Sequence, residues 1–541
     1  MPDARPTSRR VFLHAAGSGA AVVTVAACSA PSTAPPATPP ATAPPAGPAG
    51  SGGGALPAAA TDVMRGPRYA LSRWFAYLAD RATGAPLYDL NGGDLVLPAS
   101  TTKLWSTAAA LDTFGPDFRF ETPVYRRGTT AGDQLTGDLV LVASGDLTMG
   151  GRDLPDGTIA FTPLDHGEAN AIPGASLTAP DPLAGLDDLA RQVAAAGIRR
   201  VVGDVVVDAR LFDQTDKDGY VLTPTMINDN LVDVTLTPGA AGTPATAVVR
   251  PQSAAYPVRS TVTTVAAGQP PTVTASLDAG GITVSGQVPA GPPVLRTAQV
   301  PDPPAFARTL FIEALGRAGV AVTAAAGGAN PAATLPPPGS YPAADRVAVH
   351  RSLPFAQNIK LINKVSMNVQ ADTLVMLIAA HGGKRTLDDG MALLAPFVRT
   401  AGIDPASLSL SDGRGNEYTD LFSPRTVTTL LRYMATRPDF PAYHASLPVF
   451  GVDGTESTVV PAGSPVAGKV AAKSGTTVAG DVMNARALVM TRGNAGYMTS
   501  RSGRELVVAV YVMHTPIGAI EDVFGIARDV GSVVTALWEA G

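Results

Sequence analysis

The sequence contains a single cysteine, Cys28, among 541 residues. A disulfide needs two cysteines and a Cys-rich zinc or iron–sulfur site needs several, so neither can stabilise this chain. The fold must therefore be held by buried apolar side chains, and the chain is long enough for several hydrophobic cores. Charged residues make up only 16% and the formal net charge is −5, which argues against binding to nucleic-acid phosphates.

The residues around this cysteine are typical of an export signal. The pair Arg9-Arg10 precedes an apolar run that ends at Ala27, and this arrangement resembles a twin-arginine signal. The run is too short and too rich in Gly and Ala for a membrane span. The tetrapeptide V-A-A-C that ends at Cys28 resembles a bacterial lipobox. We predict a twin-arginine lipoprotein signal over 1–28 with Cys28 as the lipidated residue; the alternative is a plain cleaved signal with an incidental cysteine.

Residues 29–60 form a tether in this interpretation. Every residue except Leu56 is Ala, Pro, Ser, Thr or Gly, so the segment has almost nothing to bury and favours extended polyproline II structure. At about 3.1 Å per residue it could span roughly 100 Å. We therefore expect the folded body to begin near Thr61, held on the outer face of the cytoplasmic membrane and within reach of the cell wall.

The first motif that carries chemistry is Ser100-Thr101-Thr102-Lys103. Strands are predicted over 71–77 and 87–90, and a helical pattern follows Pro98 until Gly115-Pro116 ends it. Residues three apart on a helix share a face, so the Lys103 amine can contact the Ser100 hydroxyl. A serine needs such a base to act as a nucleophile, and a lysine is a base only where its pKa is lowered.

The second and third motifs are weaker when taken alone. Ser366-Met367-Asn368 lies within an apolar stretch over 358–380 and can direct a hydroxyl and an amide into a cleft. Lys473-Ser474-Gly475-Thr476 lies on a predicted strand, the first of an antiparallel meander with 485–491 and 505–513. Its lysine and hydroxyls can bind a carboxylate, and Gly475 permits close approach of another backbone. Two of only seven lysines, Lys103 and Lys473, fall in the three motifs.

The conjunction of the three motifs is specific. S-x-x-K, S-D-N and K-T-G in this order are the signature of β-lactamases and penicillin-binding proteins, and this chain carries them as S-T-T-K, S-M-N and K-S-G. Ser366 follows Ser100 by 266 residues, whereas Lys473 follows Ser366 by 107, and a compact β-lactamase has no room for the first gap. The chain therefore resembles the DacB-like D-alanyl-D-alanine carboxypeptidase/endopeptidase family, the low-molecular-mass class C penicillin-binding proteins. Segments 137–146, 202–208, 228–234 and 446–455 also resemble the family.

The resemblance implies an α+β fold. We expect a β-lactamase/transpeptidase-like domain, with an antiparallel sheet and helices on both faces, formed by 61–122 and 341–541. Inserted β-rich domains over 123–340 would interrupt it. The short apolar runs of that region, broken by Gly and Pro, agree with this expectation, as do helical patterns at 186–196 and 304–318.

The resemblance also implies the function and the role of each residue. Ser100 would attack the carbonyl between two D-alanines of a peptidoglycan stem peptide, with Lys103 and Ser366 handling its proton. Lys473, Ser474 and Thr476 would bind the terminal carboxylate, Asn368 the substrate amide, and the amides of Ser100 and Thr476 the oxyanion. β-Lactams would acylate Ser100 as inhibitors. No metal or organic cofactor and no nucleic-acid partner is implied.

The chain departs from the family pattern at several positions. Ser474 replaces the usual threonine, segment 412–417 differs from the family's D-G-S-G-L-S at three positions, and Glu456 replaces a leucine. These changes leave two alternatives open: a catalytically impaired wall-binding lipoprotein, or a β-lactamase or esterase of the same fold. The six histidines show no matching carboxylate pattern, so we expect them to be surface or packing residues.

Overall fold

The structure is a computed structural model and describes residues 53–541. The predicted signal, Cys28 and most of the predicted tether lie outside the described residues. The tether prediction is wrong for its last residues, because the Gly54 amide donates to the Leu87 carbonyl at 2.8 Å. A helix begins at Ala58, and Ala60 is fully buried in a core. Alanine is a strong helix former with a small side chain, so an Ala-rich segment can pack as well as extend.

The α-helices of the described residues are numbered in chain order. They are α1 (Ala58–Met64), α2 (Lys103–Phe114), α3 (Ala184–Ala195), α4 (Pro303–Arg317), α5 (Phe355–Lys364), α6 (Asn368–His381), α7 (Leu387–Thr400), α8 (Pro424–Met434), α9 (Phe440–Ser446) and α10 (Asp522–Ala540).

The strands are numbered in the same way. They are β1 (Arg73–Asp80), β2 (Pro86–Leu90), β3 (Glu121–Ala131), β4 (Gln134–Val142), β5 (Arg200–Val202), β6 (Val205–Asp208), β7 (Thr215–Lys217), β8 (Tyr220–Leu222), β9 (Leu231–Thr237), β10 (Thr246–Arg250), β11 (Val258–Ser260), β12 (Thr263–Val265), β13 (Thr274–Asp278), β14 (Gly281–Ser285), β15 (Gln287–Pro289), β16 (Val294–Gln299), β17 (Ala321–Val322), β18 (Arg346–Arg351), β19 (Val470–Asp481), β20 (Arg486–Thr499) and β21 (Glu505–Ile517).

A five-stranded antiparallel sheet in the order β19-β20-β21-β1-β2 joins the two ends of the described chain. Successive side chains of a strand point to opposite faces. On β21, Val508 and Val510 pack into a core with α10, whereas Ala509 and Tyr511 pack into a core with α2, α5, α6 and α8. Both faces are therefore covered by helices, and the strand sequence is almost continuously apolar. The predicted fold class is confirmed.

The predicted inserted region contains a second kind of architecture around its own hydrophobic core. Strands β17, β5, β4, β3 and β18 form a sheet in that order, and β6 also pairs with β4. The helices α3 and α4 contribute apolar side chains to this core, together with β9 and β16 of a separate three-stranded sheet. This sheet extends past the predicted boundary at 340/341, because β18 pairs with β3 and its Ala348 packs into the same core. The exact domain boundaries stay predictions.

The meander after the third motif is present, but its second strand is longer than the predicted 485–491. Gly493 and Asn494 lie inside β20, opposite Gly475 and Ser474 of β19, and the chain turns towards β21 only after Thr499. Gly493 is needed in the strand because a Cβ at this position would overlap the buried Tyr511 ring. The glycine indicates a close approach and not a turn.

No helix among residues 53–541 combines the length and apolar character that a bilayer span requires.

Gly493→Ala should destabilise the protein, because the added methyl group would force Tyr511 out of its packed position. Overpacking of a core costs about 1–3 kcal/mol in the free energy of unfolding. Gly316→Ala, at an exposed α4 position with nothing within 4 Å of the added Cβ, is the control. It should be neutral or stabilise by up to about 1 kcal/mol. Urea unfolding of both variants tests this, and equal midpoints would contradict it.

Candidate active site

Ser100 lies in a 3₁₀ turn, Ala99–Thr102, that leads directly into α2. Thr101 fixes this turn, since its hydroxyl donates to the Pro98 carbonyl at 2.7 Å and lies 3.0 Å from the Tyr511 hydroxyl. Ala99 has a φ of 47°, a left-handed conformation that alanine rarely adopts. Strained turns of this kind occur where the surrounding structure fixes the backbone, and this one leaves Ser100 partly exposed to a cleft.

Lys103 is fully buried and its Nζ contacts three chain segments. Nζ lies 2.8 Å from Ser100 Oγ, 2.7 Å from Asn368 Oδ1 and 3.1 Å from the Arg414 carbonyl oxygen. The last two oxygens can only accept hydrogen bonds. A neutral amine has two N–H donors, so when both donate to these oxygens its lone pair faces the Ser100 hydroxyl. The geometry therefore suits a base that takes the Ser100 proton.

The charge state of Lys103 agrees with this geometry. Burial lowers the pKa of Lys103 from 10.5 to about 7, against the opposing effect of the carboxylates of Asp372 and Asp412. A large part of the population is therefore neutral near neutral pH. An ordinary exposed lysine would be almost entirely protonated and could not accept a proton.

The second motif lies between α5 and α6. Ser366 has a φ of 66°, and this left-handed residue turns the chain so that Asn368 begins α6. Because Asn368 Oδ1 accepts from Lys103, its Nδ2 group is the part left to meet a substrate carbonyl. The Ser366 hydroxyl accepts from Lys473 Nζ at 3.0 Å. The turn therefore contacts both predicted lysines, Lys103 through Asn368 and Lys473 through Ser366.

Lys473 is fully buried on β19, an edge strand of the five-stranded sheet. Besides Ser366, its Nζ donates to the Ser474 carbonyl at 2.8 Å. Burial, and next the nearby cation of Lys103, lower the pKa of Lys473 well below its usual value. The next hydroxyl on the strand, Ser474 Oγ, lies 3.0 Å from Thr455 Oγ1.

Gly475 is required by the packing of β19 against the Ser100 turn. A Cβ at Gly475 would overlap the Pro98 carbonyl oxygen and lie 3.1 Å from the Ser100 nitrogen. The close backbone approach predicted here therefore exists, but the approaching backbone belongs to the Ser100 turn. This contact brings β19, which carries Thr476, next to the Ser100 amide. An oxyanion hole needs two such backbone donors close together.

Thr476 ends the motif and contacts an arginine that the sequence analysis missed. Arg492 of β20 is the register partner of Thr476, and its Nη1 donates to Thr476 Oγ1 at 2.9 Å. The Arg492 Nη2 donates to Glu456 Oε1 at 3.0 Å, and Asn494 donates to Glu456 Oε2 at 3.0 Å. The unusual Glu456 is fully buried, and these two partners satisfy it.

The altered segment 412–417 contacts the site through its backbone. The Asp412 carboxylate accepts from the amides of residues 414–416, and the loop presents the Arg414 carbonyl to Lys103. Gly415, with a φ of 85°, packs so closely that a Cβ would overlap the Ala99 carbonyl oxygen. The Arg414 side chain lies over the Tyr220 ring, with its Nε 3.1 Å from Asp372 Oδ2. Altered side chains therefore leave the contact with Lys103 intact.

A cavity of about 510 Å³ brings the predicted residues together. Ser100, Ser366, Ser474 and Thr476 line it. Behind them, Lys103 contacts Ser100 and Asn368, and Lys473 contacts Ser366 and Ser474. The structure thus assembles all the predicted catalytic and substrate-binding residues. Their individual roles stay predictions.

The predicted inserted region also reaches the site, which no motif indicated. Glu168 lines the cavity beside Ser100 and Ser366, and Tyr220 lies with it near Asn368. Burial raises the pKa of Glu168, while Lys103 and Lys473 oppose that shift. A lone glutamate in a Pro- and Gly-rich stretch carries no sequence signal, so only the tertiary structure could reveal it.

A buried charged cluster connects this region to α6. His166 lies 2.7 Å from Asp233 and 2.9 Å from Asp229, and Arg152 donates to Asp229 at 2.9 Å. Burial alone would lower the pKa of His166, but the two carboxylates outweigh it and raise the pKa to about 10. Asp229 also accepts from Gln370, two residues after Asn368, at 2.6 Å. The sequence shows no carboxylate pattern for His166 because these two carboxylates lie more than sixty residues away in sequence.

Gly475→Ala should abolish covalent labelling of Ser100 by penicillin, because the methyl group would push β19 away from the Ser100 turn. The matched control is Gly480→Ala on the same strand, where the nearest atom to the added Cβ is a Val482 methyl at 3.9 Å. The control should be labelled at the wild-type rate. Intact-mass analysis over time measures both, and normal labelling of Gly475→Ala would contradict the packing argument.

Comparisons with known proteins agree with this geometry. A D-alanyl-D-alanine carboxypeptidase from Actinomadura sp. is 30% identical over 427 residues, which cover 74% of this chain and 72% of the relative. The D-alanyl-D-alanine carboxypeptidase DacB of Haemophilus influenzae is 24% identical over 464 residues, which cover 80% of this chain and 84% of the relative. The crystal structure of penicillin binding protein 4 (dacB) from the same species matches with a TM-score of 0.65 at 20% identity and covers 89% of this chain and 99% of that one.

The match to a family model is equally extensive. Residues 59–519 match the D-Ala-D-Ala carboxypeptidase 3 (S13) family. This range includes all three motifs and the region between them, so the resemblance predicted from the motifs is confirmed. The chain belongs to the D-Ala-D-Ala carboxypeptidase 3 (S13) family of serine-type peptidases.

Proposed function

We propose that this protein is a serine D-Ala-D-Ala carboxypeptidase and endopeptidase that acts on peptidoglycan stem peptides through an acyl-enzyme. The observation that carries the proposal is the buried Lys103 amine 2.8 Å from Ser100 Oγ, with its pKa lowered to about 7. A serine beside a base of this pKa is an activated nucleophile at neutral pH.

In the first step, neutral Lys103 takes the proton of Ser100 while Ser100 Oγ bonds to the carbonyl carbon between the two D-alanines. The C–N bond of the tetrahedral intermediate then breaks, and the leaving amine of D-Ala takes a proton from the Lys103 ammonium, with Ser366 near enough to relay it. Water then adds to the carbonyl carbon of the ester while Lys103 accepts its proton; the C–Oγ bond breaks, and the Lys103 ammonium returns the proton to Ser100 Oγ.

Substrate binding would use the groups that line the cavity. The Asn368 amide group would donate to a substrate carbonyl, and the hydroxyls of Ser474 and Thr476 would bind the terminal carboxylate beside Lys473. The backbone amides of Ser100 and Thr476 would stabilise the oxyanion, an interaction typically responsible for a large share of the rate of acyl transfer. The first residues of edge strand β19, Val470 to Ala472, pair with residues 448–450, and an extended substrate peptide would pair with the part of the strand from Lys473 onward.

The alternative of a catalytically impaired wall-binding protein finds no support in the geometry. It was suggested by the altered segment 412–417, yet the backbone of that segment still supplies the Arg414 carbonyl to Lys103. A β-lactamase or esterase of the same fold differs in how fast water removes the acyl group. Slow loss of the penicillin adduct would separate the peptidase from that alternative.

We further propose that the protein is exported by the twin-arginine route and anchored through lipidated Cys28 on the outer face of the cytoplasmic membrane. The sequence supports this through Arg9-Arg10 and the lipobox-like V-A-A-C. Peptidoglycan lies on the same side of the membrane, so the location suits the substrate. Metabolic labelling with a fatty acid, lost in Cys28→Ala, would test the anchor.

Ser100→Ala should abolish labelling by penicillin, because the acyl bond forms at Ser100 Oγ. Intact-mass spectrometry of the purified protein should show one penicillin mass added to the wild type and none to the variant. Ser532→Ala, which changes an exposed serine of α10, is the control and should be labelled like the wild type. An adduct on Ser100→Ala would exclude Ser100 as the nucleophile.

The rate of acylation should rise with pH and reach half of its maximum near pH 7. Folded Lys103 has a lowered pKa of about 7, so it is protonated and inactive as a base below that pH and neutral above it. The measurement is the second-order rate constant of penicillin acylation between pH 5.5 and 8.5. Lys103→Arg, which stays protonated throughout, should be inactive at every pH. A flat profile for the wild type would contradict Lys103 as the base.

A further inference from the structure

The carboxylate at the end of a D-Ala-D-Ala peptide needs a positive partner once it leaves water. Lys473 alone is a weak partner for it. Its Nζ is already engaged by Ser366 Oγ at 3.0 Å and by the Ser474 carbonyl at 2.8 Å. Its pKa is also lowered well below the usual value by burial and by Lys103. Lys473 has one N–H left for the substrate, so a second cation in the cleft is needed to balance the substrate carboxylate.

Arg492 is a cation in the right part of the cleft to pair with the substrate carboxylate. It lines the same cavity as Ser474 and Thr476, its residue exposure is only 6%, and a guanidinium keeps its charge even when buried. Its Nε is buried and has no hydrogen-bond partner among the described residues. The other arginine on this cavity, Arg528 of α10, is exposed, and solvent weakens its field.

The contact between Arg492 and Thr476 also sets the direction of a second donor. Arg492 Nη1 donates to Thr476 Oγ1 at 2.9 Å, so one lone pair of that hydroxyl is occupied. The hydroxyl proton is then free to be donated to a bound carboxylate. Arg492 therefore acts through its charge and through the orientation of Thr476.

Glu456 holds Arg492 in this position. Its carboxylate is fully buried and accepts from Arg492 Nη2 at 3.0 Å and from Asn494 at 3.0 Å. Both donors lie on β20, two residues apart, so they point to the same face of the sheet. The departure from leucine at position 456 is explained by this pairing, since a leucine would leave two buried donors without an acceptor.

We propose that Arg492 is a specificity-determining residue that binds the C-terminal carboxylate of the substrate together with the hydroxyls of Thr476 and Ser474, and that Glu456 is its positioning residue. The proposal rests on the function proposed above and assigns the counter-charge of the substrate to a residue outside the three motifs.

The test compares two peptides that differ only at the C-terminus. One ends in D-Ala-D-Ala with a free carboxylate and the other in the corresponding carboxamide. Arg492→Gln should lower kcat/KM for the carboxylate peptide by about 10- to 100-fold, mainly through KM, because a charge-assisted hydrogen bond is lost. The carboxamide peptide should change less than about threefold. Arg486→Gln, on the exposed end of the same strand, is the matched control and should behave like the wild type with both peptides.

Arg492→Gln leaves the Glu456 carboxylate buried with one hydrogen-bond donor fewer, and this could destabilise the fold. A second variant separates that effect from the loss of carboxylate binding. The double variant Glu456→Gln/Arg492→Gln replaces the ion pair by a neutral amide pair and should show the same loss of discrimination. Arg492→Lys should recover part of it. An equal loss with both peptides, or no loss in the double variant, would overturn the proposal. Penicillin labelling of the wild type is measured alongside, since its absence would mean that the proposed function itself is wrong.

Discussion

The active site depends on one buried amine. Lys103 Nζ lies within 3.1 Å of the Ser100 hydroxyl, the Asn368 amide oxygen and the Arg414 carbonyl, which belong to three segments far apart in sequence. A buried ammonium without partners would be very unfavourable, and a fully solvated one would not be a base. The site resolves this conflict by satisfying every N–H of the neutral amine while excluding water. The nucleophile, the second motif and the 412–417 loop are therefore held in position by a single side chain.

Two glycines let other segments enclose the Ser100 turn. A Cβ at Gly475 or Gly415 would overlap the carbonyl oxygens of Pro98 and Ala99, so β19 and the 412–417 loop contact the turn through backbone atoms. Such contacts are insensitive to neighbouring side chains. This explains how the 412–417 segment can differ from the family pattern and still present a carbonyl to Lys103. The turn itself stays strained, with a φ of 47° at Ala99, because both sides are packed.

The predicted inserted region takes part in the site as well as in the fold. Its charged cluster of His166, Arg152 and Asp229 is connected to α6 through Gln370, and its Glu168 lines the cavity. Buried charges of both signs must be paired to be tolerated, so the cluster fixes how this region meets the helix that carries Asn368. The same logic applies to Glu456, whose burial is compensated by Arg492 and Asn494.

The sequence by itself determined the family, the fold class and the residues of the three motifs. Those properties follow from local patterns: the i, i+3 spacing of Ser100 and Lys103, the alternation of apolar strands, and the order of the motifs along the chain. Only the tertiary structure decided which partner each group has. Glu168, His166, Arg492 and the Arg414 carbonyl carry no local signal, because each acquires its role from residues distant in sequence. The same holds for Gly493, a turn residue by local preference that became a strand residue because the Tyr511 ring packs against it.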